Sequence, residues 1–390
     1  MLEIIFWVSL SIIFYSYIGY GLILFLLVTL RACFIPSREI ISRPPTVPVT
    51  LIVAAFNEES FIHTKIWNTR ELEYPPDKLS VIFITDGSTD QTADILRSHS
   101  NFLVLHEPLR KGKSAALNRA LQYVKSPVVI FCDANTLLNK ECILEITKHY
   151  ADPKVGGVAG EKKIKSSPGS HAASAGEGIY WRYESLLKKL DSSFYSVVGA
   201  AGELFSMRTH LFQVLPEDTI IEDFVLSLRV VISGYKIKYE PKAYAIETAS
   251  ASIREEQKRK IRISAGAFQA MLMLKTLFNV FKFPVLSFQY ISHRVLRWTL
   301  CPVSLVLLLV VNAFLVLHNA GDGYWYFLIL QMVLYSSATA GWILASKNIS
   351  VKALYVPYYF LFMNFSVFIG LHKFLCKKQT VLWDKALRQE

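Results

Sequence analysis

The chain has 390 residues, 52% of them hydrophobic, a formal net charge of +11 and a mean hydropathy of +0.33. That length accommodates two domains, or one domain with a membrane part, and that hydropathy is high for a water-soluble protein of this size. The positive charge forms no basic stripe interleaved with aromatics, so nucleic acid is not an expected partner. The five scattered cysteines (Cys33, Cys132, Cys142, Cys301, Cys376) contain no C-x-x-C pair, which argues against a zinc module and suits a reducing compartment.

Residues 4–30 contain no charged side chain. No basic segment precedes them, the run is about twice a signal peptide's apolar core, and no A-x-A-like cleavage site follows. They predict a retained anchor. Three further uncharged stretches, 298–317, 324–346 and 353–371, are each long enough to cross a bilayer, which takes about 20 apolar residues. Arg31, Arg38 and Arg43 follow the first stretch, and His293, Arg294 and Arg297 precede the second. Basic residues at span ends mark the cytoplasmic side and are drawn to anionic lipid, so residues 32–297 are expected in the cytoplasm.

After a Pro-rich linker, "VTLIVAA" (49–55) reads as a buried strand followed by a polar turn. "LSVIFITD" is a second strand, "TDQTADILRSH" a capped helix, "FLVLHE" a third strand and "GKSAALNRALQYV" a helix with apolar residues at helical spacing. "SPVVIFCDAN" is a fourth strand, "NKECILEITKHYA" a helix and "VGGVAGEKKI" a strand. Continuous apolar strands alternating with helices imply an α/β fold with a mostly parallel sheet. Three strands end in polar groups: Asn57 and Glu58, Asp86, and Asp133 with Asn135. Ligands of open α/β sheets bind outside the carboxyl ends of the strands, so these groups should share one cleft. Asp, Asn, Ser88 and Thr89 are also turn formers and caps, which is the alternative reading. An Asp and an Asn one residue apart suit a hard divalent cation, Mg²⁺ or Mn²⁺, whose shell water and phosphate oxygens complete. The "GKS" at 112–114 lacks the upstream glycine of a P-loop.

Seven segments, "VAAFNEE", "TDGSTD", "GKSAALNRAL", "FCDANT", "GAAGELFSMR", "IEDFVLSLRVVISGYKIKY" and "RKIRISAG", follow the order found in membrane-embedded family 2 glycosyltransferases. The chain resembles that group, which includes cellulose, hyaluronan and chitin-oligosaccharide synthases, over roughly residues 49–300. The resemblance implies a GT-A fold and an inverting, metal-dependent hexosyltransferase. Its donor would be a nucleoside-diphosphate sugar, UDP-linked by expectation, and its product an exported polysaccharide. One sugar passed to a lipid-linked acceptor is the alternative; a transport or scaffold protein with an inactive transferase domain is another. By match, Ala54, Asn57, Glu58 and Asp86 would contact the nucleoside, with Lys113 near it or the phosphates. Asp133 and Asn135 stand for the family's D-x-D and would hold donor and metal. Gly199, Ala200, Ala201 and Gly202 would line the acceptor side. Asp223 would be the general base with Glu222 beside it, and Arg262 would lie over the diphosphate. The family's Q-x-x-R-W is here "RKIRI", with Arg259 for Gln and Ile263 for Trp; the missing Trp bears on processivity.

The expected organisation is an anchor (1–31), a cytoplasmic GT-A domain (32–262), interfacial amphipathic helices (263–297), a membrane region of two to three spans (298–376) and a basic tail (377–390). The expected setting is the inner (cytoplasmic) membrane, multi-pass, with the bilayer and export or accessory proteins as partners. In "GIYWRYESLLKKL", Ile179, Tyr183, Leu186, Leu187 and Leu190 read as a packing face. "REEQKRKIR" reads either as a basic helix at the membrane surface or as the carrier of Arg262.

Overall fold

The computed structural model describes residues 1–34, 46–165, 172–248, 250, 252–347, 349 and 351–382. Arg38 and Arg43 lie outside them. Its centre is one eight-stranded sheet of β1 (Val49–Ala55), β2 (Leu79–Asp86), β3 (Leu103–Glu107), β4 (Val128–Asp133), β5 (Thr136–Leu138), β6 (Val155–Lys165), β7 (Phe205–Arg208) and β8 (Lys236–Thr248). The strand order is β3-β2-β1-β4-β7-β6-β8-β5. β3, β2, β1 and β4 pair in parallel, as the continuous apolar runs predict. β7 then inserts antiparallel between β4 and β6, and β5 pairs antiparallel with β8. The sheet is therefore mixed. β5, β7 and β8 were not expected as strands: β7 has four residues, too few for a readable alternation.

Side chains alternate across the sheet. Ile52, Phe131, Phe205 and Val225 belong to one core and Leu51, Val53, Ile130 and Ile143 to the other. Each such fully buried side chain contributes roughly 1.5–3 kcal/mol. Every residue of β1 is buried, which explains its lack of polar alternation.

The helices that position the site are α1 (Leu2–Phe34), α2 (Glu59–Arg70), α3 (Lys113–Leu121), α4 (Ala172–Phe194), α5 (Glu222–Ile232), α6 (Ile253–Met273), α7 (Leu300–Leu317), α8 (Asp322–Ser346) and α9 (Lys352–Leu375). Among the described residues, α1, α7, α8 and residues Ala353–Leu375 of α9 are long and apolar enough to cross a membrane. α1 is broken by a π-helical turn at Tyr15–Gly19. Before the turn, Phe6 packs on Leu308, Val311 and Leu315 of α7. After it, Tyr20 and Leu24 pack on Leu187 of α4. The expected packing face of α4 is present at Tyr183, Leu187 and Leu190, whereas Leu186 is 54% exposed.

Two expectations change. His293, Arg294 and Arg297 were read as charges facing anionic lipid. Instead Arg294 and Arg297 reach Glu184 at 2.9 and 2.7 Å, and His293 reaches Asp191 at 2.6 Å. His293, Glu184 and Asp191 are buried, so the cations are neutralised by protein. Secondly, the boundary drawn at 262/263 falls inside α6, which runs unbroken from its Ser252 cap to Met273. Beyond α6, Phe281 is 95% exposed beside Lys282, an apolar tip suited to a membrane interface.

Both ends of α9 meet the half of the molecule that holds the sheet and α6. Tyr359 donates to Glu256 of α6 at 3.1 Å, and Phe374 stacks on Phe268 at 6.1 Å. A Cβ on Gly370 would fall 2.5 Å from that of Ser264, so glycine permits the close approach to α6. Just beyond, Val381 Cγ1 lies 3.0 Å from where a Gly112 Cβ would be.

Candidate active site

Parallel pairing puts the ends of β1, β2 and β4 side by side, with Ala54 opposite Asp133 in register. The chain leaves β1 through Asn57, whose φ is 53°, a left-handed conformation that Asn tolerates. Asn57 Oδ1 accepts from Thr89 N–H at 2.8 Å, Asn57 N–H donates to Ser88 Oγ at 3.2 Å, and Glu58 N–H donates to Thr92 Oγ1 at 2.9 Å. These polar groups clip two loops together, so Ser88 and Thr89 serve here as turn residues. Asp86 is fully buried, and its carboxylate accepts from Lys111 N–H at 3.1 and 3.2 Å and from Gly112 N–H at 2.6 Å. Asp86 thereby fixes the loop that delivers Lys113 at the start of α3.

Lys113 is the hub. Its Nζ lies 2.7 Å from Asp133 Oδ1 and 2.9 Å from Glu222 Oε1. Burial alone would lower its pKa, but Asp133, Glu222 and Asp223 together hold it well above the usual lysine value. Asp133 is pushed up, chiefly by burial, against the pull of Lys113. Glu222 and Asp223 open α5, where negative charge is favoured by the helix N-terminus. Asp223 Oδ1 accepts from Phe224 N–H at 2.8 Å. Burial first, and then the neighbouring Glu222, raise the Asp223 pKa to about 7. A Cβ on Gly202 would fall 2.9 Å from Lys113 Nζ and 3.4 Å from Asp223 Oδ2, so glycine there leaves the space between them open.

Asp223 also lines a cavity of about 390 Å³ that extends to α9. Gly199, Ala200 and Ala201, expected to line the acceptor side, form part of its wall. Arg262 is not on that wall. It donates from Nη2 to Ile220 O at 3.2 Å, close to the start of α5. Arg259 and Ile263 of the same helix do line the cavity.

Several lining residues were missed in the sequence. Tyr180, Trp181, Glu184 and Lys188 form a second stripe of α4 that faces the cavity. The signal was present as polar and aromatic residues at helical spacing, but the packing face on the same helix masked it. Glu203 follows Gly202 directly; Lys162, paired with it, holds its carboxyl well below the usual range despite burial.

Asn135 Oδ1 is buried without a hydrogen-bond partner. That orphan acceptor stands two positions from the Asp133 carboxylate, so the pair offers oxygens of the kind a hard cation takes. Among the described residues no group of three or more His, Cys, Asp or Glu is arranged to hold a metal unaided.

Comparison with known proteins agrees with this geometry. Residues 50–214 match the family described as Glycosyl transferase family 2. The poly-beta-1,6-N-acetyl-D-glucosamine synthase of Staphylococcus aureus (strain COL) is 27% identical over 238 residues, 57% of this chain and 55% of that protein. The protein of the same name from Staphylococcus epidermidis is 25% identical over 236 residues. The chain thus spans about half the length of the curated relatives it matches. A mannosyltransferase from Pyrobaculum calidifontis, solved in complex with GDP-Man and Mn²⁺, superposes with a TM-score of 0.71 at 23% identity, over 97% of this chain and all of that one. That likeness extends the shared fold from the sheet to the apolar helices. Residues 50–214 thus resemble glycosyl transferase family 2, and the chain has a GT-A-like fold joined to membrane-length helices.

Proposed function

We propose that the protein is an inverting glycosyltransferase that moves a sugar from a nucleoside-diphosphate sugar to an acceptor entering from the membrane side. The observation that carries this reading is the position of Asp223. Its carboxyl adjoins Lys113, which binds Asp133 and Glu222, on one side and lines the cavity that reaches α9 on the other. A donor across the strand ends and an acceptor in the cavity would meet at Asp223.

In this reading an acceptor hydroxyl oxygen attacks the anomeric carbon as the bond to the diphosphate breaks. The proton passes to Asp223, whose raised pKa makes it an effective base near neutral pH. Inversion follows from a single displacement on the face opposite the leaving group. Asp133 and the Asn135 amide oxygen would hold Mg²⁺ or Mn²⁺ against the donor diphosphate. The cation supplies stabilisation of charge on the departing diphosphate. Lys113, released from Asp133, would add a second positive charge there, and Arg262, which donates to Ile220 O beside the start of α5, would do the same. Asp86, Asn57 and Glu58 shape the nucleoside pocket by fixing its loops.

Two acceptors compete. The curated relatives named as poly-beta-1,6-N-acetyl-D-glucosamine synthases favour a growing exported polysaccharide. The apolar contribution of α9 to the cavity wall favours a lipid-linked acceptor. An inactive scaffold is disfavoured, because it has no need of buried carboxylates clustered about Lys113. The test is incubation of the purified full chain with a panel of labelled UDP- and GDP-sugars, following release of nucleoside diphosphate and sizing any product. Release from none of the panel, with or without Mn²⁺, would overturn the reading.

A further inference from the structure

A lysine of α2 that glycosyl transfer as outlined leaves unused is sealed inside the fold. Lys65 is 0% exposed. Taking an ammonium out of water is costly unless its protons are accepted elsewhere, so what Lys65 touches shows what it holds. Its Nζ donates to Thr136 O at 2.7 Å and to Cys132 Sγ at 3.0 Å. Neither acceptor is a carboxylate. Cys132 and Thr136 are the residues on either side of Asp133, Ala134 and Asn135. The ammonium therefore bridges the entry and the exit of the turn that carries the two expected cation ligands.

α2 grips the same segment a second time. Asn68 stands three positions on, and so on the same helical face. It donates from Nδ2 to Leu138 O at 2.8 Å and accepts from Leu138 N–H at 2.9 Å. Within the turn, Thr136 Oγ1 donates to Asp133 O at 2.9 Å, and Ala134 N–H donates to Ala54 O at 3.0 Å. Asp and Asn in a turn ordinarily spend their side chains on neighbouring backbone. Here other groups hold the backbone. Asn135 Oδ1 stays without a partner, and the Asp133 carboxylate reaches out to Lys113. Both side chains are thus left for a ligand, on a turn whose shape does not depend on them.

Building on the glycosyltransferase reading, we propose that Lys65, assisted by Asn68, is a positioning residue for the donor's cation: it fixes the 133–135 turn so that the Asp133 carboxylate and the Asn135 amide oxygen face Mg²⁺ or Mn²⁺ together. Lys65 is closed off from the cleft, moves no proton and acts only through the turn. Its contribution is made before the ligand arrives, because oxygens already held in place lose little freedom on binding.

The test is Mn²⁺ binding to the purified full chain in detergent, with UDP or GDP present, well below the melting temperature. It is read as loss of the free-ion electron paramagnetic resonance signal. Lys65→Met should weaken Mn²⁺ binding by about 10–100-fold and leave metal-free nucleotide affinity within about twofold. Asn68→Ala should shift Mn²⁺ affinity in the same direction by a smaller factor, and it decides the matter should Lys65→Met not fold. Thr69→Val is the control, since Thr69 is buried on the same helix and donates to Lys65 O at 2.8 Å, within α2. It should leave the Mn²⁺ affinity of the folded protein unchanged. A lysine that only stabilised the fold would lower the melting temperature of Lys65→Met without moving that affinity. Unchanged Mn²⁺ affinity in Lys65→Met, or in Asn68→Ala where it stands in, overturns the proposal, as does an equal loss in Thr69→Val. Each of these leaves the transferase reading intact. A parent protein that takes up no Mn²⁺ with either nucleotide overturns the metal-assisted reading itself, and this proposal with it.

Discussion

The proposed chemistry turns on a few atoms of Asp223 and Lys113. A general base must be ionised, and burial beside Glu222 makes ionisation of Asp223 harder until about pH 7. Its protonated form cannot accept the hydroxyl proton, so the single-turnover rate should climb with pH through about 7 and then level off. Asp223→Asn should cut turnover by about 10²–10⁴-fold and lose that limb of the profile, while nucleoside diphosphate still binds. A retained limb would assign it to another group. The oxygens of Asp133 and Asn135 lead to a separate expectation. Chelation with EDTA should stop turnover, and Mn²⁺ or Mg²⁺ should restore it. Asp133→Ala should not be rescued by added metal, whereas Asn135→Asp should stay active and need less metal, since a second carboxylate adds charge to the site. Full activity in EDTA would remove the cation from the reaction.

At the scale of elements, α4 is where two readings of one helix meet. Tyr183, Leu187 and Leu190 give it the apolar face legible in the sequence. Glu184, one position away, gathers Arg294 and Arg297 and joins the segment before α7 to the catalytic half. Arg297 Nε also donates to Ser16 O, at the π-helical turn of α1. Removing one partner of such a pair leaves the other charge buried and uncompensated. Arg297→Met should therefore destabilise the protein by about 3–5 kcal/mol, visible as a large drop in melting temperature in detergent. A change of only a few degrees would show that Glu184 is satisfied without Arg297.

For the whole molecule, α9 bears on which side of the membrane residues 377–382 lie. Length alone makes α9 a span, but a span would carry the basic residues after it away from the catalytic half. Contacts of Tyr359 with Glu256, Phe374 with Phe268 and Val381 with Gly112 keep both its ends on that half. α9 would then lie along the membrane face, closing the acceptor cavity, and residues 377–382 would share a compartment with the sheet. A cysteine placed at Lys378, in a background lacking Cys33 and Cys376, should resist an impermeant maleimide on intact cells and react after lysis. Labelling before lysis would make α9 a true crossing.

The parallel half of the sheet, the polar strand ends, the four long apolar stretches and the adjacent carboxylates at 222–223 could all be read from the sequence. Each is local: a continuous apolar run, a cap or a charge-free length carries its own signal. β7, the interruption of α1 and the fate of His293, Arg294 and Arg297 could not be read that way. A four-residue strand has too little pattern, and basic residues beside a span look alike whether lipid or a distant carboxylate neutralises them. Lys188 and Trp181 were equally hidden, because only the packing of α4 against α6, α9 and the 293–298 segment turns that stripe inward. The sequence by itself determined which polar groups gather at the strand ends, since backbone order brings those groups together. The tertiary structure decided what faces them, because a cavity is made by segments far apart in the chain.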